Sequence, residues 1–232
     1  MDFQLIISNF LIVITGIDET ILLVLLSLSI GLFISIFFAL ARISSIKSLS
    51  QTVYCYIFII RGTPLLVQIY LIYFGLGSIK AIRESFLWIL LKEPFWCGVI
   101  ALILNTVAYT TEIIRGGIQS VTRGQIESCK ALGMSRFIMY YKVILPVAFR
   151  QAFPAYGNEM ILMVKGTSLV STITLMEITG IARYIITKYW TPVEIFLIAG
   201  VIYLVINFLV TQIIKYAEIK FTPYLEHAKK TR

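Results

Sequence analysis

Between Glu19 and Arg42 the chain carries no charge, and Ile21–Ala41 alone supplies 21 residues. As a helix rising about 1.5 Å per residue, that stretch is about 31 Å long, one hydrocarbon thickness of a bilayer. Composition agrees. Hydrophobic residues make up 59% of the 232 residues and charged residues 14%, against about 45–50% and about 25% in an ordinary soluble domain. Too little polar surface exists to cover a water-soluble monomer. Disorder and a collagen-like repeat are excluded by the same numbers. Cys55, Cys97 and Cys129 are isolated, without a CxxC, so neither a disulfide framework nor a metal site is supported. The only histidine, His227, lies in a charged tail, which removes His-based triads and His-rich metal sites.

Further spans follow by the same ruler. A second runs from about Val53 to Leu76, interrupted by Arg61-Gly62-Thr63-Pro64. The third is Pro94–Ile114, with a first-turn proline. The fourth begins after Pro146 and runs to about Val164, with Arg150, Pro154 and Glu159 inside it. The fifth is Ile195–Ile214. Alternate connections hold 12 and 6 Lys and Arg residues, and the richer set includes Arg42, Arg115, Arg123, Lys130, Lys215 and Lys230. The positive-inside bias puts that set in the cytoplasm. It also accounts for the net charge of +8 without nucleic acid. The expected fold is all-α, an integral membrane bundle of five helices, N-terminus out and C-terminus in. Residues 1–18 form an extracytoplasmic segment, 19–216 the membrane domain and 217–232 a cytoplasmic tail. The N-terminus lacks a basic n-region and is not read as a signal peptide. Leu5–Thr15 is too short to span, so it lies along the interface or packs on the bundle. Leu169–Ile186 is expected as a re-entrant or interfacial helix. Trp88, Trp96 and Trp190 flank outer span ends, as interface belts do.

The inner connection is the most informative. Thr122-Arg123-Gly124-Gln125 has capping-box spacing. The helix it opens should run through Leu132, and Gly133 should stop it. Ser135 can cap a second short helix, from Arg136 to about Val143. One side of the unit carries Cys129, Leu132, Phe137, Tyr140 and Tyr141, the other Glu127, Lys130 and Arg136. Two readings stay open: an amphipathic helix on lipid headgroups, or a strip filling a groove on a soluble partner.

Glu127-Ser128-Cys129-Lys130-Ala131-Leu132-Gly133, followed after nine residues by Val143-Ile144-Leu145-Pro146, resembles the EAA motif of ATP-binding-cassette (ABC) importer permeases. Ser128, Cys129 and Val143 depart from it conservatively. Arg61–Gln68, Asn105–Glu112, Pro154–Glu159 and Lys165–Leu169 resemble the polar amino-acid branch, and the wording near Ser128–Ser135 and Ile173–Glu177 is closest to arginine permeases. The resemblance implies the type I importer architecture and a bacterial inner-membrane location. It also implies a second permease subunit, identical or related, two cytoplasmic ATP-binding subunits and an extracytoplasmic solute-binding protein. The chain has no phosphate-binding loop of the G-x-x-x-x-G-K-[ST] type, so ATP and Mg are expected on the partner, with no cofactor on this chain. Glu127, Ala131, Gly133, Arg136, Leu145 and Pro146 are the implied ATPase-coupling residues.

Polar residues at membrane depth are expensive, about 2.5–3.5 kcal/mol for a central charge, and are functional by default. Arg61 lies about 12 Å and Glu159 about 16 Å along their helices from the cytoplasmic side. They either form an ion pair that locks two helices or line a solute path. Glu112 is expected to pair with Arg115, and Asn105 to bond across helices. The expected solute path comprises Arg61, Thr63, Asn105, Glu159, Lys165, Thr167, Ser168 and Glu177. Glu177 is either a solute contact or a solvated carboxylate. A basic amino acid needs a carboxylate for its side chain and donors for its own carboxyl group, a set that Glu159, Thr167 and Ser168 would supply. The expected activity is therefore permeation of a polar amino acid, arginine or another basic one, not enzymatic turnover. The alternatives are a permease for another polar amino acid, such as histidine, lysine or glutamine, and an ion-coupled secondary carrier, which would carry inverted repeats that are not visible here.

Overall fold

The computed structural model describes residues 3–221, and His227 with the end of the basic tail lies outside the described residues. The chain forms α1 (Phe3–Ile14), α2 (Ile17–Ile43), α3 (Lys47–Gly62), α4 (Leu65–Tyr70), α5 (Lys80–Arg83), α6 (Trp88–Leu91), α7 (Pro94–Gln119), α8 (Arg123–Ala131), α9 (Arg136–Met139), α10 (Leu145–Gly166), α11 (Ile178–Tyr189) and α12 (Pro192–Phe221). No strand occurs among the described residues. Ser8–Ile43, Pro94–Gln119 and Pro192–Phe221 are each long and apolar enough to cross a bilayer. Two bent pairs, α3 with α4 at 105° and the segment through α10 with α11 at 45°, raise the number of possible spans to five.

The bundle is built on α2 and α7. Ser27, Gly31, Ser35 and Ala39 recur every four residues on α2, and all are buried. This stripe of small side chains lets the two backbones approach closely. A Cβ on Gly31 would lie only 2.6 Å from Cγ2 of Thr106 on α7. Ser35 donates to the Gly31 carbonyl at 2.6 Å and lies 3.4 Å from the Val107 carbonyl across the seam. Contacts of 31 with 106 and of 42 with 112 rise together along both chains, so the helices run parallel. Leu23, Leu28, Leu102, Met163 and Val170 continue this core toward α10. A second core joins α1, α11 and α12 through Val13, Ile178, Ala182, Ile195 and Ile202. The short apolar N-terminal segment thus packs on the bundle.

Outward faces are strongly apolar: Phe33, Phe37, Leu204, Phe208 and Ile213 are exposed. That is the inverse of a soluble bundle and fits a hydrocarbon surround. A crevice of about 490 Å³ between α1, α2, α10 and α12 is lined by apolar side chains and Thr20. The Thr20 hydroxyl donates to the Gly16 carbonyl at 2.8 Å, so the crevice offers nothing to a charged solute.

Several boundaries differ from the sequence expectation. The short second helix of the inner connection ends at Met139, and a π-helical turn, Tyr140–Ile144, carries the chain directly into α10. Pro146 lies in the first turn of α10, where its missing N–H and fixed φ are tolerated, so no break marks this point. The expected helix Leu169–Ile186 is two pieces. A 3₁₀ run, Thr167–Ile173, ends at Thr174 with φ 69°, and α11 starts afresh at Ile178. Poor 3₁₀ hydrogen-bond geometry limits such runs. Finally, α12 continues past Ile214 to Phe221, into the residues expected as tail.

Candidate functional site

The α8–α9 hairpin forms as its caps require. Thr122 Oγ1 accepts from the Gln125 N–H at 3.3 Å, and Gln125 Oε1 accepts from the Thr122 N–H at 3.1 Å. At the other end Gly133 takes φ +72°. Its N–H donates to the Lys130 carbonyl at 2.9 Å, and the Met134 N–H to that of Cys129 at 3.1 Å. Ser135 caps α9 through the Ile138 N–H at 3.4 Å. Inside, Val121, Cys129, Met139 and Ile144 make a small core. Cys129 therefore does not share the outer strip with Leu132, as the sequence suggested. The helix ends at Ala131, so the i,i+3 relation between 129 and 132 is lost in the turn. Leu132 is 75% and Phe137 78% exposed, and Phe137 stacks on Tyr141 with 6.3 Å between centroids. Glu127, Ala131, Gly133, Arg136 and Leu145 are exposed beside this strip, and Pro146 is half-buried.

A 105° bend separates α3 from α4 at Thr63-Pro64. In an unbroken helix the N–H at position 64 would serve the Ile60 carbonyl; proline has none. Gln68 Nε2 supplies that donor at 2.7 Å, and also reaches the Thr63 carbonyl at 3.1 Å and Thr63 Oγ1 at 3.0 Å. Gln68 Oε1 accepts from Asn105 Nδ2 of α7 at 3.3 Å. Asn105 thus bonds across helices as expected. Arg61, exposed at the end of α3, lies over the Tyr109 ring at 4.9 Å.

Glu159 on α10 is 6% exposed and forms no hydrogen bond or ion pair with a described residue. Arg61 is near enough to act on it electrostatically, but the ion pair considered from the sequence does not form. The salt links at the C-terminal end of α7 join other carboxyl and guanidinium groups. Glu112 pairs with Arg115 at 2.5 Å, as expected, and also with Arg42 of α2 at 3.4 Å. Arg42 reaches Ser50 at 3.0 Å and covers Tyr54 at 5.0 Å, so this cluster joins α2, α3 and α7.

Beyond Gly166 the expected donors are engaged. Thr167, Ser168, Ser171 and Thr172 each donate their hydroxyl at 2.7 Å to the carbonyl three residues back. Serine and threonine hydroxyls reach such carbonyls in helical turns generally, as Thr187 does in α11. Ser168 therefore presents an acceptor, Thr167 is fully buried, and Lys165, exposed beside them, makes no ion pair among the described residues. Glu177 is a further correction. It faces neither solute nor solvent, being fully buried. Its Oε1 caps α11 at the Gly180 N–H, 2.9 Å, and Oε2 accepts from the Tyr203 hydroxyl of α12 at 2.6 Å.

Residues 31–222 match the family described as the binding-protein-dependent transport system inner membrane component. The chain belongs to this family. As a permease it is an inner-membrane subunit rather than an enzyme, and works with ATP-hydrolysing subunits and a solute-binding protein. The permease is 48% identical to the nopaline transport system permease protein NocM of Agrobacterium fabrum, over 97% of this chain and 94% of that one. It is 40% identical to the histidine/lysine/arginine/ornithine transport system permease protein HisM of Escherichia coli, over 93% and 90%. The crystal structure of an amino acid ABC transporter with histidines superposes with a TM-score of 0.85 at 35% identity, covering 95% of this chain and 99% of that one.

Sequence reasoning missed four of the permease's connecting groups: Gln68, Tyr109, Arg42 and Tyr203. For Gln68 a signal existed. A glutamine four residues after an intrahelical proline can replace the amide that the proline lacks. The other three act through partners that no local spacing reveals.

Proposed function

We propose that this permease carries a cationic amino acid, arginine foremost, past Glu159 and Arg61, driven through the α8–α9 hairpin by ATPase closure. The supporting observation is Glu159 itself: a buried carboxylate in an apolar helix, without hydrogen bond or ion pair to any described residue. Such a group is too costly to keep for packing alone and is suited to meet a mobile cation. Arg61, which acts on Glu159 electrostatically, and Lys165, six residues further along α10, are cations for the solute's own carboxylate, Thr63 is exposed at the elbow with Asn105 bonded to Gln68 behind it, and Ser168 offers an acceptor. The names of relatives point the same way, since that of HisM includes arginine, lysine and histidine.

In this reading the chain has five spans within 19–216, its N-terminus outside and its tail in the cytoplasm. Residues 122–146 sit in a groove on an ATP-binding subunit, where Leu132 and Phe137 fill the groove and Glu127 and Arg136 fix register at its rim. ATP and Mg belong to that partner. The second permease subunit is a related chain rather than a copy, and an extracytoplasmic binding protein delivers solute.

The test is uptake of labelled arginine, lysine, histidine and glutamine by cells with and without the chain. Arginine uptake should fall in its absence, and Glu159→Gln should raise the half-saturating arginine concentration by about tenfold or more, the scale of one lost charge-assisted contact. Unchanged arginine uptake without the chain retires the basic-solute reading.

A further inference from the structure

The break between α3 and α4 is bridged by one side chain. Pro64 withholds the amide that the Ile60 carbonyl needs, and Gln68 provides it from the next helix at 2.7 Å. The same nitrogen meets the Thr63 carbonyl and hydroxyl at 3.1 and 3.0 Å. Thr63 Oγ1 donates its proton to the Ile59 carbonyl at 2.9 Å, so toward Gln68 it is an acceptor. Two carbonyls fix which end of the amide is nitrogen, because neither can donate. The oxygen end faces α7 and accepts from Asn105 at 3.3 Å. Gln68 is buried, whereas Arg61, Thr63 and Pro64 around it are exposed. The amide therefore lies behind the elbow and holds its inner side.

We propose that Gln68 is a positioning residue for transport: by spanning from Ile60 to Asn105 it sets the angle of the α3–α4 elbow and thereby presents Arg61 to the solute. Satisfying an orphaned carbonyl would require only one bond. Gln68, itself on α4, instead reaches back to two residues at the end of α3, Ile60 and Thr63, and across to α7, and Arg61 follows Ile60 directly in the chain. Rotation of α4 against α3 breaks these bonds together, so the elbow has one preferred angle. The proposal rests on Arg61 belonging to the solute path.

The experiment uses the intact transporter, with both permeases, the ATPase and the binding protein, in proteoliposomes. Spin labels at Phe58 on α3 and at Leu71, in the π-helical turn Leu71–Leu76 that continues α4, are 68% and 62% exposed and report the elbow angle whatever the solute. Gln68→Leu should broaden that distance distribution and raise half-saturation for the solute the wild type carries by about tenfold, the effect of one buried hydrogen bond. Gln68→Glu keeps size and solves the case in which Gln68→Leu fails to assemble. A carboxylate cannot donate to Ile60, but its protonated form can, so function should return as pH falls through the carboxyl titration and fade as pH rises. Pro64→Ala added to Gln68→Leu offers Ile60 a backbone donor, which it can reach only by continuing α3 through residues 63 and 64, where the backbone is now extended, so the carbonyl is satisfied at the expense of the elbow. If that double variant recovers assembly but not half-saturation, positioning is supported. If it recovers both, Gln68 merely satisfies a carbonyl and the proposal is overturned. An unchanged distance distribution in Gln68→Leu also overturns it. Loss of the basic-solute reading alone leaves the distance measurement intact, so the two failures are separable.

Discussion

Glu177 is held by what donates to it. Its two oxygens receive a helix-start amide and a tyrosine hydroxyl, and the hydroxyl also meets Thr179 at 3.1 Å. Removing one donor from a fully buried carboxylate leaves part of its desolvation uncompensated. Tyr203→Phe should therefore lower stability by about 1–3 kcal/mol, and Glu177→Ala, which also removes the α11 cap, by more. Thermal unfolding in nanodiscs measures both, and a Tyr203→Phe variant as stable as the parent would refute this account. Glu112 follows the same logic with charge: it stands between Arg42 and Arg115, and without it the two guanidiniums would face each other. The local half of that cluster was legible, because Arg115 follows Glu112 by three residues. The Arg42 half was not, because its partner comes from another helix.

At the scale of elements, the hairpin was the most legible part of the chain. Its capping box, positive-φ glycine and serine cap are all contacts within a few residues, where sequence spacing determines geometry. Gly133→Ala should cost about 1–2 kcal/mol, since a Cβ is disfavoured at φ +72°. The expected consequence is loss of solute-stimulated ATPase activity with insertion unchanged, which activity assays on reconstituted vesicles would register. Normal stimulation would count against a coupling role for the turn. The elbow was half legible. The Arg61-Gly62-Thr63-Pro64 interruption was visible, but its 105° angle was not, because the angle depends on Gln68 and Asn105 acting across the break. The 3₁₀ run after Gly166 was missed for a similar reason. Hydropathy does not distinguish it from an α-helix, because the tighter turn is defined by its backbone hydrogen-bond spacing and not by its side chains.

For the whole molecule, hydropathy was sufficient to mark an all-helical membrane protein, because uncharged runs must match bilayer thickness whatever their packing. What it left open was which helices move together. Two helices in parallel contact along small side chains, with Gly31 against Thr106, have no slack at their seam. Spin labels at Phe33 on α2 and at Gln119 near the end of α7 should keep one distance whether nucleotide is bound or absent. Gly31→Leu should separate the pair and abolish transport. A nucleotide-dependent change in that distance would contradict a fixed seam. If it holds, α2 and α7 are the doorpost of this transporter rather than its door. Any swing between inward and outward opening is then left to the jointed arms around them, and a drug wedged into an arm would stall transport where one lying along the post would not.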